Sequence, residues 1–173
     1  MLFRCSSVRV VKTNFNTSKV EIMDYMFYYC KSLTYLDLSG FRLENLKISS
    51  AMFAFCISLK EIKFNNNTLT KNLESMEAMF EECSSLENIN TKIFKENKLT
   101  NLNYVFNHCT SLKKIDLSNF LAKYITELQS TFQECKSLEK INFVNFDTSK
   151  VERMDFMFFQ CESLTYLNIS VLI

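Results

Sequence analysis

Six cysteines stand at positions 30, 56, 83, 109, 135 and 161, separated by 26, 27, 26, 26 and 26 residues. Three residues before each comes a phenylalanine: Phe27, Phe53, Phe80, Phe106, Phe132 and Phe158. Two after comes a serine, three after a leucine (Leu33, Leu59, Leu86, Leu112, Leu138, Leu164), and six after a leucine or isoleucine. Cys5 opens the same series, with Ser7, Val8 and Val11 in register behind it. A period this strict means one motif copied along the chain, and it restricts the fold to a stack of similar units.

Each unit has two halves with different periods. Val20, Met23, Met26, Phe27 and Cys30 recur at spacings of three and four, which predicts a short helix. Ser18 with Glu21, and Ser149 with Glu152, have the spacing of a capping box before such a helix. After the cysteine, Leu33, Leu36 and Leu38 follow an L-x-x-L-x-L pattern whose last two members alternate like a short strand. Phe41, Phe94, Phe120 and Phe146 mark the next turn. The expected fold is therefore an α/β solenoid, a leucine-rich repeat of ~26-residue units, with a parallel sheet on one face and short helices on the other. One unit cannot cover its own apolar side; stacked units can, at roughly 1.5–3 kcal/mol per buried large side chain. The unit 67–93 departs most. Asn67 replaces the turn phenylalanine, Thr91 replaces the outer strand residue, and one residue is added, so a local bulge is expected there.

The stretches NFNTSKVEIMDYMFYYCKSLTYLDLSGF and NFDTSKVERMDFMFFQCESLTYLNIS resemble the BspA-like leucine-rich repeat family, the mycoplasma-type surface-protein repeat of unknown function. The likeness covers essentially the whole chain and is sharpest in these two units. It implies a surface protein that mediates adhesion and protein binding, with no enzymatic activity. The array divides as a partial repeat 1–14, then 15–40, 41–66, 67–93, 94–119, 120–145 and 146–173. The sequence starts inside a unit and stops just as a new one should begin, so a piece of a longer array is the expectation.

The remaining composition bounds the function. A net charge of +1 supplies no basic stripe for nucleic acid. No apolar run approaches the ~20 residues needed to span a bilayer. With one glycine and no proline, no glycine-rich phosphate loop can form, and turns must use Asn, Ser, Asp and Lys. One cysteine per unit traces a line rather than a converging zinc site. Sharing a face with Phe and Met, these cysteines are expected as buried, reduced packing groups. His108, beside Cys109, occupies a variable outward phase shared with Tyr29, Phe55, Glu82, Glu134 and Gln160, so no catalytic residue, cofactor or metal ligand is assigned.

The informative variation lies at outward strand positions. Thr34, Tyr35, Asp37, Lys60, Glu61, Lys63, Lys113, Lys114, Asp116 and Tyr166 form the candidate partner-binding face, with a protein or other macromolecular surface ligand as the partner. Aromatic clusters (Tyr25, Tyr28, Tyr29 and Phe55 early, Phe156 and Phe159 late) sit on the opposite half-units. The expected role is a non-catalytic adhesion module at the cell surface; an intracellular scaffold or a structural spacer is the alternative.

Overall fold

The computed structural model describes residues 2–13, 15–65, 69–95, 97–118, 120 and 122–167. The units stack as parallel coils. On the strand side, β1 (Val10–Lys12), β2 (Tyr35–Leu38) and β3 (Glu61–Phe64) form one parallel sheet in order, with Leu36 opposite Val11 and Ile62 opposite Leu36. β4 (Lys114–Asp116) and β5 (Lys140–Asn142) form a second parallel sheet, with Ile115 opposite Ile141. Between the two sheets, residues 87–90 of the irregular unit form no strand.

That interruption does not break the stack. A second ladder of parallel bridges joins Ile22, Ile48, Ser75, Asn101, Glu127 and Arg153 through all six units. Asn67, where the bulge is expected, lies outside the described residues. The local consequence is visible at Thr91, which opens a 3-10 turn (Thr91–Phe94) and donates its hydroxyl to Asp116 O at 2.6 Å.

The core is a column of phenylalanine rings. Phe27, Phe53, Phe80, Phe106 and Phe132 are buried, with successive centroids 5.7, 5.4, 5.4 and 5.6 Å apart and planes within 19° of parallel. Phe158 extends the column at 6.0 Å. Leu33, Leu59, Leu86, Leu112 and Leu138, each fully buried, fill the space beside the rings. The corner phenylalanines Phe41, Phe94, Phe120 and Phe146 are also buried.

The expected helices are absent among the described residues, and this corrects the reading of the Met-Met-Phe-Cys half-unit. Residues 23–30 run as consecutive turns. Alternate N–H groups stay within the coil (Met26 to Met23 O, Tyr28 to Tyr25 O, Cys30 to Phe27 O). The others reach the next coil: Tyr25 to Ser50 O at 3.0 Å, Phe27 to Met52 O and Tyr29 to Ala54 O at 2.8 Å. The cause is spacing. Hydrogen-bonded coils lie about 4.8 Å apart, whereas packed helices need about 8–10 Å between axes. A helix on the turn side would need the coils to fan apart there, and the inter-coil hydrogen bonds on that side hold them close.

The turns are made by left-handed residues. Tyr25, Ala51, Ala78, Tyr104, Ser130 and Phe156, five before each cysteine, have φ of 50–59°; the residues one before each cysteine, from Arg4 to Gln160, have φ of 56–62°. The expected capping boxes are likewise replaced. Ser18 donates both its N–H and its hydroxyl to Asn16 Oδ1, and Ser149 N–H donates to Asp147 Oδ1, which makes tight turns at the unit corners.

Candidate functional site

The outward strand positions line up as columns one coil apart, but the gap at 87–90 divides them into two groups. Thr34, Tyr35, Asp37, Lys60, Glu61 and Lys63 belong to the first sheet. Lys113, Lys114, Asp116 and Tyr166 belong to the second, with Tyr166 bridged to Lys140.

Within the first group, Thr34 Oγ1 donates to Arg9 O at 3.0 Å. Asp37 accepts from Ser39 Oγ at 2.6 Å and Ser39 N at 2.9 Å, and lies 3.6 Å from Lys63 Nζ. The Ser39 hydrogen bonds, with Lys63 behind them, hold the Asp37 carboxyl below its ordinary value. In the second group, Lys113 Nζ meets Glu87 Oε2 at 2.9 Å; each holds the other charged, lowering the Glu87 carboxyl and raising the Lys113 ammonium. Asp116 is held by Ser118 N–H and by Asn142 Nδ2, both at 3.0 Å. The side chains of Glu61, Lys114 and Tyr166 are exposed and have no hydrogen-bond or ion-pair partner among the described residues. Lys114 stands in register with Lys140, and both line a groove of about 380 Å³ together with Asn88 and Ile89. The interrupted strand makes that groove; spacing alone did not reveal it.

The cysteines do more than fill space. Each thiol donates to the carbonyl of the phenylalanine one coil back: Cys56 to Phe27 O at 3.1 Å, Cys83 to Phe53 O at 3.2 Å, Cys109 to Phe80 O at 3.1 Å, Cys135 to Phe106 O and Cys161 to Phe132 O at 3.0 Å. Cys30 to Leu2 O at 2.9 Å begins the series. Burial pushes the thiols of Cys83, Cys109 and Cys135 well above their ordinary value and that of Cys161 to about 11. His108 points elsewhere: its Nδ1 lies 3.9 Å from Glu82 Oε1 and 3.4 Å from Glu134 Oε2, in the coils on either side. Among the described residues no three His, Cys, Asp or Glu side chains gather as metal ligands, and no helix is long and apolar enough to cross a membrane.

The aromatic clusters lie on the surface of the turn side. Tyr28 is the hub of the first, 5.2 Å from Phe3 in a stacked pair and 5.5 Å from both Tyr25 and Phe55. Arg4 and Lys31 sit against the Tyr29 ring, at 5.6 and 4.2 Å from its centroid. Phe156 and Phe159 pair edge to face at 5.9 Å in the last coil.

A family profile described as "Mycoplasma protein of unknown function, DUF285" matches residues 1–92 and again residues 74–170. No curated protein matches the sequence. Among solved structures, a leucine-rich cell surface protein from Faecalibacterium prausnitzii A2-165 matches with a TM-score of 0.52 and 21% identity, over 71% of this chain and 31% of that one. A leucine-rich repeat protein from Eubacterium ventriosum ATCC 27560 matches with a TM-score of 0.51 and 14% identity, over 88% of this chain and 55% of that one. The chain thus spans a third to a half of their length, and at such identity the likeness is one of fold.

Proposed function

Because the chain belongs to the BspA-like, mycoplasma-type family of leucine-rich repeats described as proteins of unknown function, DUF285, we propose that it is a non-catalytic recognition module holding a protein partner across its strand face. One observation carries the reading: behind an invariant core, Glu61, Lys114 and Tyr166 are presented outward with no partner of their own among the described residues. Tyr35 stands half-buried beside Glu61, and Lys63 and Lys113 rim the face in exposed ion pairs that a partner can replace at little cost. Tyrosine at both ends of such a surface supplies anchor groups for an interface.

A non-catalytic role agrees with the state of the one tempting nucleophile. Cys109 is buried, its thiol is committed to Phe80 O, and burial keeps it protonated at neutral pH. Adhesion at the cell surface completes the reading; the Faecalibacterium neighbour is described as a cell surface protein.

The test is a pull-down from cells or extracellular matrix with the wild-type chain and with a variant carrying Tyr35→Ala, Lys63→Glu, Lys113→Glu and Tyr166→Ala. The variant is expected to lose the captured protein; equal capture by both removes the strand face from the mechanism. Antibody labelling of intact, unpermeabilised cells checks the location.

A further inference from the structure

The interrupted strand leaves a run of unpaired backbone in the middle of the strand face. Residues 87–90 belong to the Cys83 unit, with three cysteine-bearing units before it and three after. A sheet ends on each side of them: β3 is the last strand of the first sheet and β4 the first of the second. Among the described residues, the one backbone hydrogen bond they make is from Lys113 N–H to Glu87 O, at 3.3 Å. Asn88 and Asn90 are exposed and Ile89 is half-buried, so the N–H and C=O groups of residues 88–90 are left to water.

Side chains beside this run complete the groove of about 380 Å³, a volume in the range of small-ligand clefts. Ile89 and the buried Ile115 give it an apolar part. Lys114 and Lys140, both exposed, stand in register one coil apart, with about 4.8 Å between their backbones. Neither ammonium group has a partner among the described residues. Asp116, the carboxylate among the lining residues, is already held by Ser118 N–H and Asn142 Nδ2. Glu87 nearby is paired with Lys113 at 2.9 Å. The groove therefore carries positive charge that the chain itself does not neutralise.

We propose that this groove binds a short extended peptide carrying an acidic side chain. The inference rests on the strand face being the recognition surface, and it names what the central part of that face recognises. The peptide backbone pairs with residues 88–90 as an added strand, offering donors and acceptors in alternation. Its carboxylate meets Lys114 and Lys140, and the apolar residue beside it rests on Ile89 and Ile115. A small anion would satisfy the lysines alone, and an apolar ligand the isoleucines alone. A peptide satisfies both, together with the bare backbone. Charge selects acidic over basic sequences. A contact of so few residues is weak, with Kd on the order of 0.1–1 mM.

The probe is a capped pentapeptide, threonine-valine-aspartate-valine-threonine, titrated to about 5 mM into the isotope-labelled chain and followed by amide NMR shifts. Expected are saturating shifts at residues 88–90, 114–116 and 140–142. Lysine in place of the aspartate weakens binding by about tenfold, and N-methylation of both valines, which removes backbone donors, abolishes it. Lys114→Glu with Lys140→Glu, both at exposed positions, reverses the preference toward the lysine peptide. No shift at residues 88–90, equal binding of the two peptides, or complete displacement by an equal concentration of inorganic phosphate overturns the proposal; the last would mark a bare anion site. If the peptide fails while the variant altered at Tyr35, Lys63, Lys113 and Tyr166 still loses its captured protein, the strand face stands and the groove alone is removed.

Discussion

The thiol of Cys109 donates to the carbonyl oxygen of Phe80, one coil back, at 3.1 Å. The same carbonyl also accepts the N–H of Cys83 at 3.1 Å. One oxygen therefore closes a turn within its own coil and ties that coil to the next. This double use explains why a small apolar donor, rather than alanine or valine, stands at that phase in every unit.

Removing the sulfur should be felt in the interior and not at the end. Cys109→Ala is expected to lower unfolding free energy by about 1–2 kcal/mol, through a small void and a lost hydrogen bond. Cys5→Ala, at a half-buried position, should change it by less than about 0.5 kcal/mol. Urea unfolding of the two variants makes the comparison.

The same burial makes the fold sensitive to alkali. Cys83, Cys109 and Cys135 have thiols raised above the ordinary 9.0 by desolvation. The folded chain therefore keeps protons that the unfolded chain releases. Their contribution is complete below about pH 8.5 and declines as pH rises above it, by about 1.4 kcal/mol per pH unit for each thiol. Urea midpoints should fall steeply between about pH 9 and 10, and less steeply in Cys135→Ala.

Phe106 stacks between Phe80 and Phe132 at 5.4 and 5.6 Å. Phe106→Ala should cost on the order of 3–5 kcal/mol, because neighbours held by inter-coil hydrogen bonds cannot close the hole. Phe3→Ala, half-exposed at the first coil, should cost under about 1 kcal/mol. Thermal melts separate the two.

Ala78 has a φ of 53°. Ala78→Val should destabilise by about 2 kcal/mol, since a β-branched side chain resists this region. Ala78→Gly should be close to neutral, relief of strain offsetting the freer unfolded chain. Far-UV circular dichroism of the wild type should lack the paired minima of α-helix.

The phase of Phe, Cys and Leu was legible because a core position leaves its mark in every copy. Outward strand positions were legible for the same reason, through alternation about Leu36 and Ile115. The conformation of the turn side was not. Met23, Met26, Phe27 and Cys30 fit a helix, but two successive tight turns put the same residues inward. A finer signal was present: the left-handed phases hold Tyr, Ala, Ala, Tyr, Ser and Phe, and then Tyr, Phe, Glu, His, Glu and Gln, with no β-branched residue. Pairing across the strand face was invisible because Lys113 and Lys114 are adjacent in sequence, and only coordinates show that one meets Glu87 and the other faces Lys140.

The bonds between coils, on the strand side and the turn side alike, run along the stack. A pull applied to the two ends therefore loads one layer at a time, as a zipper is opened, rather than shearing many bonds together. Each layer that yields frees 26 or 27 residues, about 80–90 Å of slack. Under tension the array should lengthen in even steps while the remaining layers stay folded.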